Sequence, residues 1–213
     1  MRLKEKMIYR NNSLYWANNE IEIAKYLPSK YNASGIYTDD NEWTEYFDVG
    51  NGVSLRDYLQ MEMRYIQTAC RIFSITQCSF ITLVNYENLS GNLLGVTART
   101  ASIKLNNNRQ FLLSDEDIRL LLLSREINEG SRISTNNVND LLKLLLRGFV
   151  NADVCNEAHK VYLRFPGSYY MWLKCPAQYH KIVINVVKEY NLYYNPRNSM
   201  EIDQTINIPT TKK

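Results

Sequence analysis

Two histidines, His159 and His180, are each followed by a lysine, and an imidazole beside an ammonium can share acid–base work. Their spacing gives no reason to place them together, and both read as surface or loop residues. Gly91-Asn92-Leu93-Leu94-Gly95 lacks the lysine and the preceding strand that a phosphate cradle requires. The acidic trio Asp115, Glu116 and Asp117 has carboxylates enough for a cation, but it stands at a helix start, where capping accounts for it. No motif brings serine, histidine and an acid together. Cys70, Cys78, Cys155 and Cys175 show no Cys-x-x-Cys spacing and sit mainly in apolar or strand-like stretches, which predicts buried, reduced thiols and a reducing compartment. The expectation is a non-enzyme with no cofactor and no metal.

The residues with the clearest local logic lie in Phe111 to Val150, which reads as two helices joined by a polar turn. Ser114 is the candidate N-cap of the first, with Asp117 three residues on in capping-box position and Asp115 spaced to pair with Arg119 at i, i+4. Gly130 is the candidate stop of this helix and Gly148 that of the second, which Ser134 or Thr135 would cap. Leu120 to Leu123, and Leu141, Leu142, Leu144, Leu145 and Leu146, are more leucine than one face holds at 3.6 residues per turn. One side is expected to close the core and the other to meet another chain. Leu121 and Leu144, with the aromatics Trp43, Tyr169 and Trp172, are the candidate interface residues.

Elsewhere, a long helix is expected from Ser54, with Leu55, Leu59, Met63, Ile66, Cys70 and Phe73 as its apolar stripe. Gln77 to Leu94 leans to helix, and Thr97 to Arg109 suits a loop or short hairpin. Asn151 to Ala158 reads as a turn. Pro166-Gly167-Ser168 between two alternating runs predicts a hairpin over about 160–175, with Val161, Leu163 and Phe165 on one side. Ser13 to Leu27 and Ala177 to Tyr190 fit either helix or strand. The resulting fold class is α+β, a mainly helical core with a small antiparallel β hairpin and extended terminal arms. Its divisions are an arm and aromatic loop region over 1–53, a helical core over 54–194 and a C-terminal tail over 195–213.

A charge of +3, from 25 basic and 22 acidic residues, is too mild to call for nucleic acid or a membrane surface. Absence of a leader and of an apolar run near bilayer length predicts a soluble chain. Sixteen tyrosines fit either an AT-rich genome or contacts with neighbouring proteins. A winged helix–turn–helix can also be drawn, with 134–147 as recognition helix offering Asn136, Asn137, Asn139 and Lys143. Few local cations and five leucines count against it.

The order of motifs carries one further reading. Leu89, Gly91, Gly95 and Arg99 fall in a glycine-spaced segment that is followed, after a gap, by Asp115-Glu116-Asp117-Ile118-Arg119-Leu120. Then come the Ile127-Asn128 turn, Thr135 before the second helix, and the run Val161 to Phe165. This succession resembles tailed-phage tail and baseplate proteins of the wedge type over a little more than a third of the chain. Departures are Gly91, displaced from the usual glycine position, Ile118 where an aromatic is usual, and Pro176-Ala177 without the glycine-valine that often follows. The resemblance implies a non-catalytic structural subunit of a virion tail, made in the bacterial host cytoplasm. Its partners would be other tail or baseplate proteins in hetero- and homo-oligomeric contact. A small inhibitor or immunity-type binding protein is the alternative that also needs no catalytic residues.

Overall fold

The computed structural model describes residues 21–24, 46–50, 53–89, 102–104, 110–165 and 170–196. Its frame is a seven-stranded antiparallel sheet in the order β5-β2-β6-β7-β8-β1-β9, built from β1 (Ile21–Ala24), β2 (Phe80–Asn88), β5 (Arg132–Ser134), β6 (Val150–Asn156), β7 (Val161–Arg164), β8 (Tyr170–Lys174) and β9 (Tyr193–Pro196). A separate hairpin joins β3 (Ser102–Lys104) to β4 (Gln110–Leu112). The four α-helices among the described residues are α1 (Leu55–Ile75), α2 (Asp115–Leu123), α3 (Asn139–Leu146) and α4 (His180–Glu189).

This sheet corrects the expectation of a mainly helical core with a small hairpin. Two of its strands have no clear signature in the sequence. Gln77 to Leu94 leans to helix by pattern, yet α1 stops before it: the Thr76 hydroxyl donates to the Ile72 carbonyl at 2.7 Å and Gln77 turns left-handed at φ 57°. The β-branched and aromatic run that follows then pairs on both sides, with β5 and with β6. Asn151 to Ala158 is rich in turn-forming side chains, but 151–156 alternates, sending Ala152 and Val154 inward and Asp153 and Cys155 to the other face. Strands β7 and β8 of the expected hairpin lie in the middle of the same sheet, pairing Tyr162 with Lys174 and Arg164 with Trp172.

Register places Leu83, Val154, Leu163 and Leu173 side by side across β2, β6, β7 and β8. These leucines and valines, all 0–1% exposed, form the row against which the helices pack. Helix α3 explains where the surplus leucine goes. Leu141, Leu142, Leu144 and Leu145 are all buried, because α3 contacts α1, α2 and β6. The second leucine face therefore closes this chain's own core. Within α4, Val183 and Val187 meet the core one helical turn apart. Strand β1 lies between β8 and β9, so residues before α1 and after α4 complete the sheet.

Candidate interaction site

A single buried cation ties the helices together. Arg147 ends α3, where positive charge suits the helix dipole, and the acidic first turn of α2 and the middle of α1 meet it. Its guanidinium holds Glu62 with two bonds, Nε to Oε1 at 2.7 Å and Nη2 to Oε2 at 2.9 Å. It also donates to Asp117 Oδ1 at 2.8 Å and Glu116 Oε2 at 2.7 Å. Side-chain exposure is 1% for Arg147, 3% for Glu62 and 0% for Asp117, so these charges are removed from water and depend on one another. Burial opposes the Arg147 charge, but the Glu62 contacts outweigh it and hold the guanidinium above its ordinary range.

Asp117 completes a capping box, taking bonds from the Ser114 amide at 2.9 Å and hydroxyl at 2.7 Å. Its Oδ2 also accepts the Tyr46 hydroxyl at 2.7 Å, and the Arg147 guanidinium carbon stands 4.8 Å from the Tyr46 ring centre. Burial, reinforced by the Asp117 carboxylate, raises the Tyr46 phenol and keeps it a donor. Lys143 and Arg147 both bond to Glu116; burial pushes its carboxyl up, and these bonds outweigh that and lower it. With Lys143 and Arg147 engaged by carboxylates, α3 presents little positive charge to a phosphate backbone. The array is built to hold helices: Glu62 and Asp117 meet the guanidinium in the interior, and Glu116 closes it off from a partly exposed position.

Arg119 does not pair with Asp115. It reaches across to Asp140 on α3 in a bidentate bridge, Nη1 to Oδ2 at 2.6 Å and Nη2 to Oδ1 at 2.8 Å, and Asp115 remains exposed. Planar carboxylate geometry in reach of α3 wins over the local i, i+4 contact. The first helix ends at Leu123 with Ser124 as cap, short of Gly130, which takes φ +82° in the turn beyond. Gly148 does end the second helix: at φ +68°, it lets the Gly148 and Phe149 amides bond back to the Leu145 and Leu144 carbonyls. Ser134 caps a 3-10 turn over Thr135–Asn137 that leads into α3. The Thr135 hydroxyl instead donates to the Cys78 carbonyl at 2.9 Å, clipping that turn to the start of β2. Asn128 orders its own turn, its amide donating to Ser131 Oγ at 2.9 Å.

Among the candidate interface residues, Leu144 is fully buried and Leu121 9% exposed, both inside the core, which corrects their assignment to an outer surface. Gly95, Arg99, Trp43 and Tyr169 lie outside the described residues, and Trp172 is placed by its backbone on β8. All four cysteines are thiols, with Cys78, Cys155 and Cys175 buried; burial pushes the Cys175 thiol up to about 12. His180 is a core residue at 2% exposure, donating through Nε2 to the Cys175 carbonyl at 3.0 Å, in place of the expected surface position. Burial lowers it below the ordinary value, so the ring is neutral.

Leu112, Leu122, Ile182 and Phe80 are also exposed, but the apolar side chains left uncovered in a row on one helix lie elsewhere. On the first half of α1 the core takes Tyr58, Glu62 and Tyr65, because Arg147 draws Glu62 inward. That rotates Leu55, Leu59 and Met63 outward, and they stand 49%, 38% and 48% exposed at i, i+4 and i+8. The expected stripe is thus correct for Ile66 and Phe73 and reversed for its first three members. Hydrophobic periodicity cannot signal this, since it assigns leucine to the core and glutamate to water. The deciding residue is a buried arginine 85 positions away in sequence, and only the fold brings it to Glu62.

Scans against protein-family models, curated proteins and solved structures found no match to this chain.

Proposed function

We propose that this protein is a non-enzymatic structural subunit of a bacteriophage tail or baseplate that works by protein–protein assembly. The observation that carries the assembly reading is the exposed Leu55, Leu59, Met63 row on a helix whose opposite face is fixed by the Arg147 cluster. Scattered exposed leucines need no explanation, but three large apolar side chains one turn apart make a continuous strip suited to a partner's apolar surface. Rigid anchoring of α1 lowers the ordering cost of that contact. The virion setting rests on the order of motifs from Leu89 to Phe165 and on nothing else in the molecule. Its Asp117 and Arg119 serve helix capping and helix–helix bridging, roles that suit a scaffold.

Mixing the purified chain with tail and baseplate proteins of the same phage, followed by sedimentation velocity, tests both parts. Formation of a discrete complex supports the reading. A chain that stays monomeric with every such protein, and instead forms a tight one-to-one complex with a toxin, supports the inhibitor alternative.

A further inference from the structure

The face of the sheet away from the helices carries a cleft of about 730 Å³ at its β5-β2-β6 end. Phe80, Thr82 and Val84 alternate with the core residues Ile81 and Leu83, so they point to this face, and Cys155 stands opposite Thr82 on β6. Thr82, Val84 and Cys155 make the floor. One wall is the turn and strand 128–132, and the other is the 156–159 turn.

The two walls differ in charge. Arg132 lies over the Phe80 ring, its guanidinium carbon 4.3 Å from the centre, and makes no ion pair among the described residues. Stacking occupies the guanidinium face and leaves its edge donors open to a carboxylate. Across the floor, Glu157 likewise has no cation partner among the described residues, and His159 stands beside it. Glu129 also lines the cleft, but one of its oxygens is committed to the Tyr86 amide at 2.7 Å. We propose that this cleft is a docking site for an extended peptide segment with an acidic and a basic side chain on one face. The acidic side chain would meet Arg132 and the basic one Glu157.

Size and spacing agree with that occupant. The volume falls in the range of about 300–1,000 Å³ typical of ligand sites. The walls flank β2 and so stand roughly 10 Å apart, two inter-strand spacings. Residues i and i+2 of an extended chain are roughly 7 Å apart on one face, and their side chains cover the rest. Two glutamates against one arginine disfavour a polyanion such as nucleic acid, whose phosphates would meet Glu129 and Glu157. This site is independent of the α1 strip and stands whether or not the assembly reading does.

Amide NMR titration of the full chain with a capped pentapeptide, valine-glutamate-valine-lysine-valine, tests the proposal. Saturable shifts confined to residues 79–84, 128–132 and 155–159 are expected, at least tenfold weaker for the same peptide with both charges replaced by glutamine. Arg132→Glu and Glu157→Lys change exposed side chains, and each should weaken the charged peptide at least tenfold while leaving the spectrum folded. Absence of saturable shifts, or equal binding of charged and uncharged peptides, would overturn it. So would inorganic phosphate binding the same residues more tightly than the peptide, since that would make the cleft an anion site.

Discussion

Replacing Arg147 by methionine tests whether one buried cation organises the helices. The substitution keeps an unbranched apolar stem and removes the guanidinium, leaving Glu62 at 2% and Asp117 at 0% exposure without their shared counter-charge. Losing one partner of a buried ion pair costs about 3–5 kcal/mol, because the charge left behind has neither water nor a cation. Here two carboxylates are left, and Asp117 keeps its bonds from Ser114 and Tyr46, so the greater part of the loss should come from Glu62. For a domain of this size each kcal/mol corresponds to about 2–4 °C in Tm. Urea unfolding followed by circular dichroism should therefore show a loss of about 4 kcal/mol at pH 7. Adding Glu62→Met should restore part of it, since an apolar pair is a better buried neighbour than an unpaired charge. A loss under about 1 kcal/mol, or no recovery in the double variant, would refute the assignment of a central structural role.

Two further predictions concern the helix ends. Gly148→Ala should destabilise by about 1 kcal/mol through backbone strain alone, because φ is +68° while the added methyl meets only Phe47 Cε2 at 4.0 Å; matched chemical denaturation curves check it. Buried neutral His180 has its folded value lowered below 6.5, so its contribution is full above 6.5 and is lost as pH falls through the folded value. His180→Leu should then flatten the dependence of the urea midpoint on pH between about 7 and 5, whereas an unchanged slope would place the titration elsewhere.

Legibility follows the range of the interactions. Local ones can be read: the Ser114 and Asp117 capping box, the Gly148 stop and the hairpin with Val161 and Leu163 inward all depend on neighbours in sequence. Strands β2 and β6 cannot, because a run such as Phe80 to Tyr86 is strand only when β5 and β6 lie on either side of it, and Asp153 disguises an alternating pattern as a turn. Arg119 chooses Asp140 over Asp115 for the same reason, a partner brought close by the fold. The apolar surface shows the limit most sharply. Periodicity points Leu55 and Leu59 inward, and surplus leucine points Leu144 outward. The long-range Arg147–Glu62 pair reverses the first, while packing among α1, α2 and β6 reverses the second. The cleft between β5 and β6 leaves no trace in the sequence, since its lining comes from three separated segments.

The central claim is that the outward strip of α1 is an assembly surface. Sedimentation velocity of the chain mixed with the tail and baseplate proteins that the proposed function makes its partners, comparing wild type with the double variant Leu59→Asp and Met63→Asp, tests it most directly. Both positions are exposed, so the variant should stay within about 0.5 kcal/mol of wild-type stability. The account predicts a complex with wild type and none with the folded variant; equal incorporation of the two would contradict it.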